Sequence, residues 1–365
     1  MIDEIIDNVQ FQCFQKDKEE KLLAILKLQI IENRKNENLN SMYTKLRIDI
    51  DAIHSLEEIP YIPVNMFKCF ELRTCKEDEV LRVLNSSSTT GNIPSKVYID
   101  KTTSMRQSRG LISTLKSFIG SDRRPMLIID SEEVNSKQDK LSARGAAIRG
   151  VSSFAKNLTY VMDDINGDLQ LNIEKLRDFE EKYKDKDVLV YGFTYIVWSK
   201  FIKAMKEKNM GLNLPRLRLL HSGGWKKLTE EKVDKEEFKR AVSEAFNTKP
   251  ENIIDFYGMV EQLGVIFIDC EYGYKHVADF ADIIIRDFQT LNEVEKGKLG
   301  IIEVLSGLTS SYPGQAILTE DIGELVGVDH CSCGRKGKYF KFVSRVEKAE
   351  TRGCGDTFAE GKDRS

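Results

Sequence analysis

Apolar positions along the chain fall into two textures. Up to about Leu84 the spacing is helical. Leu22, Leu23, Ile25, Leu26, Leu28, Ile30 and Ile31 form a dense apolar stretch flanked by Lys and Glu. Within it Leu22, Leu26 and Ile30 recur every four residues, as one face of an amphipathic helix requires. Pro60 and Pro63 punctuate the approach to Phe67 and Phe70. After Leu84, short apolar runs alternate with longer amphipathic stretches. The runs predict strands at Val97–Ile99, Met126–Ile129, Val188–Tyr191, Leu217–Leu220 and Ile253–Phe256. The stretches between several of them predict helices at Ile173–Tyr183, Ile196–Lys206 and Lys235–Phe246. Such alternation implies an α/β fold with a largely parallel sheet. From about Gly264 the pattern turns β-rich, with strands expected at Ala281–Arg286 and Gly300–Leu305. The expected organisation is a helical region over 1–84, an α/β core over 85–263, a β-rich subdomain over 264–345 and a short arm over 346–365.

Composition narrows the function classes. The 365 residues hold 55 Lys+Arg against 58 Asp+Glu, a formal net charge of −3. That near balance argues against a nucleic-acid binder, which would carry a basic excess or face. No apolar run approaches the ~18–20 residues needed to span a bilayer. The N-terminus, Met1-Ile2-Asp3-Glu4, lacks the basic-then-apolar order of a signal peptide. Seven scattered cysteines do not read as a disulfide framework. Together these features point to a cytoplasmic, enzyme-sized protein.

Chemistry first surfaces at Ser86, Ser87, Ser88, Thr89, Thr90 and Gly91, followed by Pro94 and Lys96. Five consecutive hydroxyls and a glycine offer donors and exposed backbone N–H groups suited to phosphate oxygens. The stretch is not a Walker A loop, because the Gly-Lys-Ser/Thr ending is absent and a strand follows it. The strand Ile253–Phe256 ends in Tyr257-Gly258-Met259-Val260-Glu261. In a parallel sheet, ligands sit beyond the carboxyl ends of strands. There Tyr257 suits contact with a base, Gly258 permits close backbone approach, and Glu261 suits Mg²⁺, which favours carboxylate oxygen. Leu217–Leu220 ends similarly in His221-Ser222-Gly223-Gly224-Trp225, and Asp321 stands near Gly323 as a ribose-diol acceptor would. Arg345 and Glu347 follow, close to Arg352-Gly353.

In order and spacing, this set resembles the adenylate-forming superfamily, which includes acyl- and aryl-CoA synthetases. The stretch Ile-Pro-Tyr-Ile-Pro-Val-Asn-Met-Phe-Lys at 59–68, the Ser-Thr-Thr-Gly loop and the ending Arg-Gly-Cys-Gly-Asp most resemble its acyl-protein synthetase branch (long-chain-fatty-acid–protein ligases). The resemblance spans nearly the whole chain. It implies an α/β adenylation fold with mixed, mainly parallel sheets, a β-rich C-terminal part, and a mobile C-terminal lid domain missing or vestigial. It also implies ATP and Mg²⁺: a carboxylate, here a long-chain fatty acid, becomes acyl-AMP and is then passed to a nucleophile.

Carried over residue by residue, the resemblance gives Ser86–Gly91 to the β/γ-phosphates and leaves Lys96 doubtful because Ser95 intervenes. It gives Gly223, Gly224, Tyr257 and Gly258 to the adenine, Glu261 to Mg²⁺, Asp321 to the ribose, and Arg345 to ribose or α-phosphate. Cys354, between Gly353 and Gly355, matches the near-terminal cysteine that carries the acyl group as a thioester before a partner, a fatty-acyl reductase with its own acyl-accepting cysteine, receives it. Cys331-x-Cys333-Gly-Arg resembles the paired thiols of phenylacetate–CoA ligase relatives. With Cys270 and His276 they make a candidate set of four structural zinc ligands, His330 being a substitute for His276 and inert thiols the alternative. Cys13, Cys69 and Cys75 read as core or surface residues, and His221 either orients a group at the nucleotide pocket or is structural. Phe193, Tyr195 and Trp198 either line an acyl pocket or pack the core. Two other readings stand beside the protein ligase: an aryl- or acyl-CoA (or carrier-protein) ligase, and a degenerate, non-catalytic adenylation domain. The oligomeric state is open.

Overall fold

Where the sequence alternates apolar runs with amphipathic stretches, the computed structural model builds a sheet covered by helices on both faces. It describes residues 1–85, 95–135, 143–224 and 233–346. The strands, in chain order, are β1 (Ile62–Pro63), β2 (Val80–Asn85), β3 (Lys96–Asp100), β4 (Arg124–Ile128), β5 (Ala155–Tyr160), β6 (Met162–Ile165), β7 (Asp168–Leu171), β8 (Val188–Phe193) and β9 (Leu217–Ser222). They continue with β10 (Ile253–Gly258), β11 (Ile266–Asp269), β12 (Lys275–His276), β13 (Ala281–Arg286), β14 (Leu299–Ser306), β15 (Ala316–Val328) and β16 (Lys338–Arg345).

One sheet runs in the order β13-β14-β15-β16-β12-β11-β10-β9-β8-β4-β5, with β1 added beside β15. Its two halves differ in direction. From β5 through β4, β8 and β9 to β10 every pairing is parallel. From β10 onward to β13 every pairing is antiparallel. The inner parallel strands β4, β8 and β9 are mostly apolar and buried because both of their faces are covered. On one face, Leu127, Val190 and Leu219 meet Leu176, Phe201, Phe238 and Phe246. On the other, Met126, Leu189 and Leu220 meet Leu115, Ile119 and Ile148.

Helix borders follow local chemistry. Ile173–Tyr183 is capped by the Asn172 side chain, which accepts from the Lys175 N–H, and it buries Leu176, Phe179 and Tyr183 at i, i+3 and i+7. Lys235–Phe246 is capped by Asp234 and ends at Asn247, whose φ of 52° is left-handed, a conformation asparagine tolerates. The long N-terminal helix Gln15–Asn33 buries Leu22, Leu26 and Ile30, the residues predicted to share a face. They share one core cluster with Tyr43, Ile62, Leu305 and Ile317, so the helix is seated against the antiparallel half of the sheet.

Differences from the sequence reading are local. Within the stretch read as helical, Val80–Asn85 is a strand, paired antiparallel with β3 in a separate two-stranded sheet. The predicted helix Ile196–Lys206 is a helical run from Thr194 to Glu207 whose middle, Val197–Ile202, is π-helical. Among the described residues, no helix is long and apolar enough to cross a membrane.

Candidate functional site

The carboxyl ends of the parallel strands converge on one edge of the sheet. The β9 end carries Ser222-Gly223-Gly224, and β10 runs through Tyr257 and Gly258 into a short 3₁₀ turn, Val260–Gln262. Gly223 has φ +86°, and a Cβ there would stand 2.9 Å from the Phe193 ring. Both the backbone and the packing therefore demand glycine at this position. Gly224 faces open space.

Tyr257 is held between two rings. Phe267, its cross-strand partner on β11, lies 5.7 Å away at 18°, and Phe342 of β16 lies 5.1 Å away at 35°. Its hydroxyl donates to Asp321 Oδ2 at 2.7 Å. Burial, reinforced by the Asp321 charge, holds the phenol well above its ordinary pKa, so it remains a donor. Arg345 Nε donates to Asp321 Oδ1 at 3.0 Å. Asp321 and Arg345 are register partners in the β15–β16 hairpin, and the register slips one residue further on, between Ile322 and Gly323. Such a bulge re-aims side chains beside it. The Asp321 carboxylate is buried, whereas the Arg345 side chain is 74% exposed. Each carboxylate oxygen keeps a lone pair beyond the one it uses, so Asp321 retains capacity for hydroxyl donors.

Glu261 is also buried, at 5% exposure. Burial raises its pKa, opposed by a hydrogen bond from the Ser95 hydroxyl and by the charges of Lys68 and Arg345. A carboxylate so placed, with few protein partners, suits a cation or a developing charge.

Two residues before Tyr257, the strand carries Asp255, the centre of a buried charge network. Lys275 Nζ donates to Asp255 Oδ2 at 2.8 Å and to Asp269 Oδ1 at 3.2 Å, while Lys235 lies 2.6 Å from Asp269 Oδ2. Burial works against the Asp255 charge, but the Lys275 ammonium outweighs it and keeps the carboxyl ionised. His221 Nδ1 lies 2.9 Å from Thr194 Oγ1, which itself donates to the Ser222 carbonyl at 3.1 Å. The single hydroxyl proton is thereby used, so His221 is the donor in the first contact. Burial pushes His221 down to about 4, making it a neutral structural ring at ordinary pH.

The four predicted zinc ligands form a second cluster. Cys270, His276, Cys331 and Cys333 place their ligand atoms within 4.8 Å of one another. Cys270 and Cys331 sulfurs are 3.9 Å apart, and Cys333 Sγ is 3.3 Å from His276 Nε2. Tetrahedral coordination with Zn–S of ~2.3 Å and Zn–N of ~2.0 Å requires edges of about 3.8 and 3.5 Å. Those edges match, and the sulfurs are too far apart for a disulfide. His330 is exposed and outside the cluster. Burial pushes the Cys331 thiol up to about 12 and the His276 imidazole down to about 4. Crowded thiols that resist ionisation by themselves are what a divalent cation would deprotonate on binding.

The structure thus brings Tyr257, Asp321 and Arg345 into direct contact, sets Glu261 in the turn that follows Tyr257, and assembles the Cys/His set. Ser86, Ser87, Ser88, Thr89, Thr90, Gly91, Trp225, Glu347 and Cys354 lie outside the described residues. Trp198 is buried against Phe238 in the core, while Phe193 and Tyr195 are half-buried at its margin. Cys69 is exposed, and Cys13 and Cys75 are intermediate. Sequence reasoning missed Phe342, Lys275 and the Asp255–Asp269 pair. Asp269 and Lys275 lie on strands of four and two residues, and Phe342 and Asp255 belong to no motif of their own.

Comparison with known proteins fits this geometry. The model of the family "Acyl-protein synthetase, LuxE" matches residues 1–362. The long-chain-fatty-acid–luciferin-component ligase of Aliivibrio fischeri is 24% identical over 314 residues, covering 85% of this chain and 80% of the relative. The ligase of the same name from Vibrio harveyi is 27% identical over 312 residues, covering 83% and 78%. Among solved structures, 2-hydroxyisobutyryl-CoA ligase in an open conformation superposes with a TM-score of 0.66 at 13% identity, over 90% of this chain and 75% of that one. The same ligase in its thioesterification state gives 0.67 at 14% identity, over 91% and 69%. The fold is therefore that of an adenylate-forming ligase, with a mixed sheet between helical layers.

Proposed function

Because the chain belongs to the acyl-protein synthetase family LuxE, we propose that it activates a long-chain fatty acid with ATP and delivers the acyl group to protein sulfur. The acid's carboxylate oxygen attacks the α-phosphorus of ATP, and pyrophosphate leaves with the electron pair of the broken P–O bond. The Cys354 thiolate then attacks the acyl carbonyl carbon, forming a thioester and releasing AMP. A second thiolate, on an acyl-accepting partner protein, takes the acyl group by thioester exchange and returns Cys354 to its starting form. The fatty-acid ligation named for both curated relatives supports a long-chain fatty acid as the activated substrate.

The observation that carries the reading is the contact of Tyr257 and Arg345 with Asp321 at the carboxyl edge of the sheet. The buried Asp321 carboxyl, with lone pairs to spare, is suited to accept from a ribose diol. Tyr257 keeps the carboxylate aimed, and at the end of β9 Gly224 faces open space that a planar base would occupy. Arg345 has four N–H donors beyond the one it spends on Asp321, available to a phosphoryl oxygen. Glu261 would hold Mg²⁺, whose chemistry is to neutralise charge on the phosphate chain. The remaining work is positioning, which dominates in-line displacement at phosphorus.

The Cys270, His276, Cys331 and Cys333 set we assign to structural zinc, a closed four-ligand shell with no open position. Its place supports that role. It ties the β11–β12 turn to the β15–β16 turn, while Asp321 and Arg345 occupy the other end of the hairpin, with the eight residues of β16 between them, roughly 25 Å.

Covalent labelling tests the proposal. With ATP and radiolabelled fatty acid, the wild-type chain becomes labelled by a hydroxylamine-sensitive bond, and Cys354→Ser loses the label while keeping ATP–pyrophosphate exchange. A Cys354→Ser protein that labels as wild type would remove the internal thioester.

A further inference from the structure

The stretch Ile59–Lys68 contributes a cation to the cleft that no motif assigns. β1 pairs parallel with β15, Ile62 against Ile317 and Pro63 against Leu318, and the Val64 N–H continues the ladder to the Leu318 carbonyl at 2.9 Å. The two chains therefore advance side by side toward Asp321. Asn65 Nδ2 donates to Glu320 Oε1 at 2.8 Å, which fixes the start of the one-turn helix Met66–Cys69 against the residue preceding Asp321. Phe67 plugs the helix into the core, edge-on to Tyr312 at 6.1 Å. Met66 joins the same cluster as Met259, Val260 and Leu263, the apolar residues around Glu261. Helix and turn thus rest on one support, and Lys68 is carried by that helix, its ammonium donating to Asn65 Oδ1.

The charges around this point do not balance. Glu261, Glu320 and Asp321 face Arg345 and Lys68. Arg345 is committed to Asp321. Lys68 Nζ has a neutral partner, Asn65 Oδ1 at 3.3 Å, and among the described residues it makes no ion pair. Its charge is nonetheless felt at Glu261. An ammonium hydrogen-bonded to the Asn65 that also holds Glu320, and without a carboxylate partner among the described residues, is available to a polyanionic ligand.

Resting on the adenylation reading above, we propose that Lys68 is a phosphate-contacting residue of this ligase, its ammonium donating to non-bridging oxygens of the ATP phosphate chain. The helix Met66–Cys69 would then deliver a substrate-binding charge from the N-terminal region to a site built on the sheet. Lysine serves here as a mobile point charge, which tolerates the movement of oxygens as pyrophosphate departs.

The test uses Lys68→Met and Lys68→Arg in the full-length chain. ATP–pyrophosphate exchange is measured with a panel of saturated fatty acids, alongside thermal stabilisation by MgATP and melting without ligand. Loss of one charge-assisted phosphate contact should lower kcat/KM for ATP by about 10- to 100-fold in Lys68→Met. Lys68→Arg should recover most of it, with KM for the acid and the ligand-free Tm unchanged in both. Exchange within twofold of wild type in Lys68→Met would overturn the proposal. If wild type shows no exchange with any acid, the adenylation reading fails by itself, and MgATP stabilisation then decides Lys68. Weaker stabilisation in Lys68→Met upholds the phosphate contact, and equal stabilisation refutes it.

Discussion

The β15–β16 hairpin carries two polar constellations, one at each end, and they are built on opposite principles. At the turn, Cys331 and Cys333 meet Cys270 and His276 in a closed group of thiols around one imidazole. At the far end, Asp321 is already held by Tyr257 and by Arg345, whose side chain reaches solvent. The first, on the zinc proposal, would be completed by a cation and would leave no face for a substrate. The second is stable alone and keeps hydrogen-bonding capacity in reserve. On the proposed assignments, one end is a staple and the other a receptor. Between them Phe340 of β16 stands in register with Lys275, whose charge network braces β10 under Tyr257.

Substitutions that strike each part should separate these roles. Cys331→Ser should do the most damage: loss of bound zinc by elemental analysis, a fall in stability on the order of 4 kcal/mol or more in urea, and loss of exchange activity as the fold loosens. Stoichiometric zinc in that variant would erase the distinction between staple and receptor. Next, Lys275→Met leaves Asp255 and Asp269 buried without their shared cation, and should cost about 3–5 kcal/mol. Denaturant melts would show it, with activity lost only as the folded fraction falls.

Asp321→Asn should act at the receptor end instead. The amide keeps the shape, so the Tm should change little, but ATP–pyrophosphate exchange should fall about 10²- to 10³-fold with the charge. A variant that loses stability and activity in parallel would mean that Asp321 is a staple too.

The mildest consequence concerns pH. His221 is held near about 4 in the fold by burial, below its ordinary value of 6.5. A depressed pKa means the unfolded chain binds the proton more readily, so the stability from a neutral His221 is full above pH 6.5 and drains as pH falls toward 4. Between pH 7 and 5 the loss should be about 2 kcal/mol, and His221→Gln should lose less over that interval. An unchanged acid limb in that variant would show that His221 is not the titrating group.

Much of this was legible before any fold was known. The helices Ile173–Tyr183 and Lys235–Phe246 and the strand Ala281–Arg286 were predicted to the residue, because caps and apolar periods are local. Val80–Asn85 was not, since Leu81 and Val83 are exposed and Leu84 alone is buried, so no alternation advertises the strand. β11 and β12 are four and two residues long, too short for any period. At the site, Tyr257, Asp321 and Arg345 stood out only as members of a set that resembles the family, and their mutual contact came with the fold. Phe342 and Lys68 acquire meaning only from what stands opposite them.

Residue order alone specified the side-chain types a nucleotide and an acyl group require, their succession along the chain, and the family they mark. Packing selected which of them touch. Tyr257 and Asp321 are 64 residues apart, and their contact exists because β10 and the β15–β16 hairpin join one sheet through β11 and β12. Nor could spacing along the chain select His276 over His330 as the fourth member of the cysteine cluster. Strand register made that choice, pairing His276 with Tyr339 and turning its imidazole toward Cys333. Local periodicity reads the faces of single elements, but a site is a property of the pairings between them, and those are set by the burial of the whole sheet.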